Sequence, residues 1–408
     1  MGMSLEQAVN SARGRLGAFR YNAALQISNA GHDSDIYFGM LDNPVPDYLF
    51  SAGPDIHVFL PVKKRVVFDI SESPRYNFFL KTERERALNN AFAGTVHLIF
   101  DRVYIQAGGG LVNAKQRLSS ELNVNIRLKE NNVSGLVFWQ ASKTTSFALQ
   151  CRRTRYNFEN STSEFANNSE NLNRIENLVN LIGYLQQRSK ARFYLDGEYG
   201  SYVFAADVSH LRKSKSYGVY AGVDFIPSAA GFEGQTSGIR GSAKIGYQYL
   251  DVLDPSQKDF SGLAGDIGVS LGIMKLTALR FFFSRGSQFS VYAGRTYYLE
   301  TACGMGLRRS LTKHIVFTYD LGYSRNDYPA GEVSMVNPPE KSADKYLTHA
   351  FALNVRIRKD LEISLLADLG QRNSKLAPRP FSKHAFFGFS LTYGHSIGEL
   401  SMPTGPRF

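Results

Sequence analysis

Apolar and polar residues alternate one by one over residues 351–370, FALNVRIRKDLEISLLADLG. Side chains along a β-strand point alternately to its two faces, so this stretch predicts two strands joined by a tight turn at Lys359-Asp360. One face of the hairpin would be apolar and the other charged. The same alternation recurs at residues 122–129, 217–225, 266–273 and 314–323. The pattern therefore predicts a chain built mainly of half-apolar strands.

Polar segments between the strands are alternately short and long. The short ones lie at residues 61–64, 101, 141–144, 187–190, 227–231, 274–275, 311–313 and 359–360. The long ones lie at residues 31–45, 73–87, 114–120, 160–171, 209–216, 251–259, 294–296, 326–344 and 372–382. Short turns at one end and long loops at the other are typical of outer-membrane barrels, whose short turns face the periplasm.

We therefore predict an all-β fold, a single transmembrane antiparallel up-and-down β-barrel of about 18 strands, with 16 as the alternative. The barrel would cover residues 17–395, between a periplasmic N-terminal tail (1–16) and a periplasmic C-terminal tail (396–408). Residues 172–185 also fit the apolar spacing of a helix, but a strand from Arg174 to Gln187 keeps the strand count even.

Composition agrees with a membrane barrel. The chain has 29 Phe, 22 Tyr and 36 Gly among 408 residues, and it contains no apolar run of about 18 residues that would form a transmembrane helix. The net charge of +11 is spread along the chain, so it does not point to nucleic acid. The two cysteines, Cys151 and Cys303, lack metal-site spacing, and whether they form a disulfide stays open.

The two ends of the chain carry different signals. The first residues, MGMSLEQAVNSARGRLG, lack the basic start and apolar segment of a secretory signal peptide, so the strands alone predict the outer-membrane location. Near the other end, FFGFSLTY resembles the barrel-assembly signal of outer-membrane proteins. Gly388, Leu391 and Tyr393 carry that resemblance, which implies the barrel-assembly machinery as a partner, although Phe386 stands where a polar residue is usual.

Several loop and strand-start motifs resemble the putative beta-barrel porin family found beside bacterial exopolysaccharide gene clusters. The motifs are residues 42–48 (DNPVPDY), 81–86 (KTERER), 253–255 (LDP), 259–263 (DFSGL), 295–298 (RTYY) and 300–301 (ET). The resemblance implies a barrel in the outer membrane of a Gram-negative bacterium. It also implies passage of an exopolysaccharide, together with a periplasmic polysaccharide export protein.

A barrel of this size is wide enough for an aqueous channel, whose fixed charges would set selectivity. The alternation predicts a mixed, slightly basic lumen that passes anionic solutes or polymer; the alternative is that polar residues face inward only because lipid excludes them. Tyr194, Tyr202 and Tyr220 are candidates for a track for sugar rings, or for girdle and packing roles. The basic lumen candidates are Arg127, Lys129, Arg152, Arg192, Arg240, Lys244, Arg280, Arg356 and Arg358. The acidic ones are Asp196, Glu198, Asp224, Asp266, Asp320, Glu362 and Asp368.

Other functions have less support in the sequence. Its eight histidines lie outside G-x-S-x-G and H-E-x-x-H settings, so we expect no enzyme and no cofactor. Arg152, Arg153 and Arg155 form a basic cluster that could contact lipopolysaccharide phosphates or simply be solvated. The alternatives to polysaccharide export are a small-solute diffusion porin, an outer-membrane enzyme and a non-conducting structural or adhesive barrel.

Overall fold

One antiparallel sheet forms the molecule in the computed structural model, and it closes because the last strand, β20, pairs with β2. The short β1 pairs only with the start of β2, and β4 and β5 are two halves of one interrupted strand, so the closed barrel has 18 strands, as predicted. The structure describes residues 5, 9–10, 12–39, 41–63, 65–117, 125–159, 169–188, 191–205, 212–225, 238–255, 257–274, 276–291, 295–329, 342–374 and 380–394.

The strands of the closed barrel, with β4 and β5 counted as one, are long enough to cross a membrane when tilted. They are β1 Gly14–Leu16, β2 Phe19–Asp33, β3 Asp47–Val62, β4 Val66–Glu72, β5 Arg75–Phe79, β6 Ala87–Ile99, β7 Val103–Arg117, β8 Asn125–Gln140, β9 Thr145–Phe158, β10 Arg174–Arg188, β11 Ala191–Phe204, β12 Ser214–Phe225, β13 Gly238–Val252, β14 Phe260–Met274, β15 Thr277–Phe289, β16 Tyr297–Ser310, β17 Ile315–Tyr328, β18 Ser342–Arg358, β19 Leu361–Ser374 and β20 Phe381–Gly394. Short 3-10 turns lie at Glu83–Glu85 and Ser169–Leu172.

The strand map follows the predicted alternation of short turns and long loops. The helical alternative at residues 172–185 is wrong, because β10 runs through this segment and pairs with β9 and β11. Among the residues described, no helix has the length and apolar character to span a membrane. The predicted turn at 227–231, the middle of the loop at 326–344 and the C-terminal tail lie outside the described residues.

Side chains alternate between a lipid-type outer face and a polar inner face. On β12, Val219 is 67% exposed, whereas its neighbour Tyr220 is only 4% exposed. Outward apolar side chains recur on strand after strand, as Leu181, Leu195 and Leu263 illustrate. Such an apolar outer band around a closed sheet is the architecture of outer-membrane-type barrels.

The interrupted strand has a local cause. Pro54, on β3, cannot donate to a sheet ladder, and it lies opposite the gap between β4 and β5. A Cβ on the adjacent Gly53 would lie 1.9 Å from the carbonyl oxygen of Pro74, so only glycine fits there. Proline and glycine together therefore account for the interrupted hydrogen-bond ladder at this point.

The end of the lumen with the long loops, called the extracellular end here after the predicted orientation, contains a buried apolar cluster. We call it the mouth cluster. It joins residues from β5, β8 and β9 with residues from the β2–β3, β9–β10 and β15–β16 loops, which start on different sides of the barrel. Its buried members are Ile36, Tyr37, Phe79, Ile126, Leu128, Phe158, Leu172 and Val291. Contacts of this reach mean that the described loop segments fold inward and pack together within the extracellular mouth.

Candidate functional site

The inner face of β10–β13, here called the β10–β13 wall, brings several predicted lumen residues together. Strand register places Asp196 opposite Ile182 and Tyr220, and Glu198 opposite Asn180. Lys244 lies on β13, one strand beyond Tyr220. The Asn180 side chain donates to Asp196 (3.1 Å) and to Glu198 (3.2 Å). The Lys244 ammonium lies 3.4 Å from Asp196. The wall therefore presents paired carboxylates, an amide and an ammonium to the lumen.

Nearer the periplasmic end, the same wall carries a second ion pair. Arg192 donates to Asp224 at 2.7 Å, and its guanidinium also lies 4.0 Å from the centre of the Tyr184 ring. The Tyr184 and Tyr194 rings are 5.7 Å apart. Cation–π contact and ion pairing together fix the arginine against the wall.

Inward glycines make room for the inward tyrosines. A Cβ on Gly222 would lie 2.3 Å from the Tyr194 ring, and one on Gly218 would lie 2.4 Å from the Tyr220 ring. Each ring consequently covers a glycine and lies against the wall. Tyr194 stays partly exposed, whereas Tyr220 is buried under the Lys244 ammonium, which lies 4.3 Å from its ring centre. The structure thus places Tyr194, Tyr202 and Tyr220 on the inner face, as the alternation predicted.

Other predicted lumen residues lie apart from this wall. Arg280 pairs with Asp320 at 2.9 Å, above Gly306, and Arg356 lies 3.8 Å from Glu362. Four more predicted residues occupy inward-facing positions on their strands: Arg152 on β9, Arg240 on β13, Asp266 on β14 and Asp368 on β19. Each of these side chains faces the lumen, but their roles in selectivity stay predictions.

Three of the predicted lumen cations do not face the lumen. On β8, Ile126 and Leu128 point inward into the mouth cluster, so Arg127 and Lys129 point outward. Arg358 follows a register shift that breaks the alternation, and it lies opposite the outward-facing Leu361. The sequence argument failed on β8 because an apolar side was assumed to meet lipid, whereas here it meets folded-in loops.

The inner face is acidic rather than slightly basic, which corrects the predicted charge. Among the described strands, inward carboxylates outnumber inward cations. The inward carboxylates are Asp33, Asp47, Asp55, Asp69, Glu130, Glu176, Asp196, Glu198, Asp224, Asp266, Glu300, Asp320, Asp344, Glu362 and Asp368. The inward cations are Arg20, Arg75, Arg152, Arg174, Arg192, Arg240, Lys244, Arg280, Arg308, Arg356 and Arg372.

A hydrogen-bonded cluster near the periplasmic end was not predicted from the sequence. His57 Nε2 lies 2.5 Å from Asp69, whose other oxygen lies 3.6 Å from His97, and His97 Nδ1 lies 2.6 Å from the Tyr104 hydroxyl. The alternation of inward and outward positions on β3, β4 and β6 was the sequence signal that could have predicted this cluster. Beside it, two residues of the N-terminal segment, Leu5 and Val9, pack on Phe59 and Val67.

Loop geometry at the mouth depends on buried carboxylates. Asp35 accepts hydrogen bonds from the backbone N–H groups of Tyr37 (3.4 Å), Gly39 (3.0 Å) and Val45 (3.3 Å). The Tyr37 hydroxyl donates to Glu85 at 2.9 Å and accepts from Arg84 at 2.9 Å. Burial raises the pKa of Tyr37 to about 12, and the hydrogen bond to Tyr37 raises the pKa of Arg84.

Arg212 links three loops at the same end. Its guanidinium donates to the backbone carbonyls of Asn171 (3.0 Å), Ser290 and Arg295 (3.2 Å). Arg212 is 5% exposed and also lies over the Phe204 ring, 5.3 Å from its centre. One arginine thus ties the β9–β10, β11–β12 and β15–β16 loops together.

The residues of the proposed assembly signal lie on the closing strand. Gly388 faces inward, where a Cβ would lie 2.6 Å from both the Ala30 carbonyl oxygen and the Phe386 ring. Tyr393 is 56% exposed on the outer face, and Leu391, two residues before it, points to the same face. The inward Phe386 thus fills the space that Gly388 leaves. Recognition by the assembly machinery stays a prediction.

Comparisons with known proteins place this fold in context. No curated protein matches the chain. A bacterial polysaccharide outer membrane secretin is 9% identical, with 92% of this chain and 98% of that chain covered and a TM-score of 0.38. The siderophore receptor PirA from Pseudomonas aeruginosa is 10% identical, with 92% and 80% covered and a TM-score of 0.45.

The FrpB iron transporter from Neisseria meningitidis is 6% identical, with 90% of this chain and 63% of that chain covered and a TM-score of 0.48. A family model described as "Putative beta-barrel porin 2" matches residues 124–377, which is more than half of the sequence and runs from the start of β8 to just beyond β19. The protein therefore belongs to the putative beta-barrel porin 2 family.

Proposed function

We propose that this barrel passes an exopolysaccharide across the outer membrane, delivered by a periplasmic export protein. One observation carries the proposal: the β10–β13 wall combines tyrosine rings, of which Tyr194 and Tyr202 are partly exposed, with carboxylate, amide and ammonium groups on one inner surface. Aromatic faces suit the apolar C–H faces of sugar rings, and the polar groups can exchange hydrogen bonds with sugar hydroxyls.

The length of the wall also suits a polymer. From Arg192 to Tyr202, inward residues follow one another along ten residues of β11. At about 3.3 Å per residue, this is a path of roughly 33 Å, which spans several sugar rings. A chain of weak, repeated contacts allows movement along the path, because no single contact must be strong.

The mouth cluster bears on the rival proposal, a small-solute diffusion porin. A diffusion porin requires a lumen that is open to water at both ends. Here buried loop residues such as Ile36 and Val291 meet across the extracellular end. We therefore favour an exporter whose loops open during export. Its acidic inner face suits a neutral or cationic polymer better than an anionic one.

The test uses the native host, a deletion strain and two replacement alleles. Deletion of the gene should abolish surface polysaccharide while small-solute uptake stays normal. The double variant Tyr194→Ala/Tyr220→Ala should fold and yet lower surface polysaccharide severalfold. Tyr323→Ala, which removes an outward tyrosine on β17, is the matched control and should leave polysaccharide unchanged.

Heat-dependent gel migration and outer-membrane abundance verify that each variant is folded. Normal surface polysaccharide in the deletion strain, with slower uptake of small solutes, would replace the export proposal with the porin. Equal loss of polysaccharide in the inward and outward tyrosine variants would show that the wall is not the path.

A further inference from the structure

A basic surface lies on the outer face of β8 and β9, toward the extracellular end. Arg127 and Lys129 share Glu159, with the Lys129 ammonium 2.5 Å and the Arg127 guanidinium 3.9 Å from its carboxylate. Arg153 and Arg155 on β9 are exposed and make no hydrogen bond or ion pair with any residue in the described part of the chain. Four clustered cations with one carboxylate leave a local excess of positive charge.

The height of these arginines follows from the strand geometry. The stacked rings of Trp139 and Phe147, 5.9 Å apart, mark the periplasmic end of β8 and β9. Arg153 and Arg155 follow Phe147 by six and eight residues. With a rise of about 3.3 Å per residue and a tilt of about 40°, they lie roughly 15 and 20 Å higher, in a barrel whose apolar band is about 25 Å tall.

Arginine side chains extend their charged ends toward the polar layer when the backbone lies in the apolar one. Arg153 and Arg155 can therefore both reach the headgroup layer of the outer leaflet. An uncompensated cation at this level is best satisfied by a lipid phosphate, with which a guanidinium forms charge-assisted hydrogen bonds.

An apolar groove of about 490 Å³ lies on the outer face beside the arginines. Gly197 forms its floor, because register places that glycine between Leu181 and Val219. The groove begins at Val179, which is opposite Cys151 on the strand that carries Arg153. Its remaining outward walls are formed by Tyr199, Tyr217, Tyr247 and Tyr249.

We propose that this outer surface binds one molecule of lipid A, the diphosphorylated glycolipid of the outer leaflet. Its phosphates contact Arg153 and Arg155, with Arg127 and Lys129 nearby, and one acyl chain lies in the groove over Gly197. The cation cluster favours a headgroup with two phosphates over a phospholipid with one. The site is independent of the lumen and of polysaccharide export.

The two halves of the site can be removed separately. Arg153→Gln/Arg155→Gln removes the headgroup contacts. Gly197→Leu fills the groove, and the chain tolerates it because a Cβ there would meet only the Leu181 carbonyl oxygen at 3.9 Å. Gly94→Leu on the outer face of β6 is the control for the groove variant, because a Cβ there meets nothing within 4 Å. Arg325→Gln is the control for the arginine variant, because Arg325 pairs with Asp327 on the outer face of β17.

Binding is measured on the full-length barrel in detergent by native mass spectrometry. The probes are diphosphorylated lipid A, dephosphorylated lipid A and phosphatidylglycerol. We expect the diphosphorylated lipid to bind with 1:1 stoichiometry, and the double arginine variant to bind it about tenfold more weakly, as expected for the loss of charge-assisted contacts. Gly197→Leu should weaken it severalfold, and both controls should bind as the wild type does.

Heat-dependent gel migration confirms that every variant is folded before binding is compared. Equal affinity in the double arginine variant and the wild type would overturn the headgroup site. Equal binding of dephosphorylated lipid A would mean that the site does not recognise the phosphates. Equal binding of phosphatidylglycerol would overturn the assignment to lipid A. Unchanged binding by Gly197→Leu would remove the groove from the proposal.

Discussion

Arg372 and Asp344 form a fully buried ion pair on the inner face of β19 and β18. Arg372 Nη2 lies 3.3 Å from Asp344 Oδ2, and neither side chain is reached by solvent. The guanidinium also lies 5.4 Å from the centre of the Tyr346 ring. Neither residue stood out in the sequence, because an alternation pattern gives the face of a side chain but not the depth of its burial.

Substitution of one partner should destabilise the barrel strongly. Arg372→Met leaves the Asp344 carboxylate buried without its cation, which should lower the free energy of unfolding by about 3–5 kcal/mol. The control is Arg280→Met, which breaks the solvent-exposed Arg280–Asp320 pair and should cost at most about 1 kcal/mol. Denaturant titration of refolded protein in detergent measures both, and equal losses would contradict the burial argument.

Tyr37 makes the loop closure sensitive to alkali. Its pKa is raised to about 12 in the folded protein, above the ordinary tyrosine value of 10. A group whose pKa is higher in the folded state stabilises that state below its unfolded pKa, and this contribution is lost as pH rises from about 10 to 12. The wild type should therefore lose stability across this window.

Tyr37→Phe is the comparison for this pH dependence. At pH 8 the variant lacks the hydrogen bonds to Glu85 and Arg84, so it should be less stable by about 1 kcal/mol. Between pH 10 and 12 the gap between the two proteins should narrow, because only the wild type loses the Tyr37 contribution. Thermal unfolding followed by gel migration gives both curves, and parallel curves would show that Tyr37 does not titrate in this way.

At the scale of the strand, alternation predicted the fold well and the lumen in part. It gave the β18–β19 hairpin and its turn, and on β11 it gave the inner face from Arg192 to Glu198. It failed on β8, where Ile126 faces loops inside the barrel. Periodicity separates two faces but cannot tell which apolar surroundings, lipid or folded-in loops, one of them meets.

The native cysteines provide a test of strand faces. Cys151 on β9 and Cys303 on β16 are both unpaired thiols on the outer face. In lipid vesicles, neither thiol should react with a charged, water-soluble maleimide, whereas an apolar maleimide should label both. Because the thiols are separate and face lipid, no intramolecular disulfide should form.

A matched inward position completes this test. Gln150→Cys, made together with Cys151→Ser and Cys303→Ser, places one thiol on the inner face beside the original site. The water-soluble reagent should label this variant, because the inner face is in contact with water. Reaction of Cys151 with the charged reagent at the same rate as the inward cysteine would reverse the assignment of the faces.

At the scale of the whole molecule, total charge was a poor guide to the lumen. The chain carries a net charge of +11, yet inward carboxylates outnumber inward cations on the described strands. Part of the excess basic charge lies on outward rims, as at Arg153 and Arg155, and in turns such as Lys313. The inward packing of the loops could not be predicted either, because it depends on contacts between residues far apart along the chain, such as Ile36 and Val291 in one cluster.

The measurement that tests the central claim most directly is the conductance of the purified barrel in a planar bilayer, for the wild type and Asp35→Ala. The variant loses the carboxylate that holds the β2–β3 loop through the N–H groups of Tyr37, Gly39 and Val45. We expect the wild type to conduct poorly, and Asp35→Ala to conduct with a preference for cations over anions, because the inner face is acidic. A steady, porin-like conductance of the wild type with anion preference would contradict both the closed mouth and the acidic lumen.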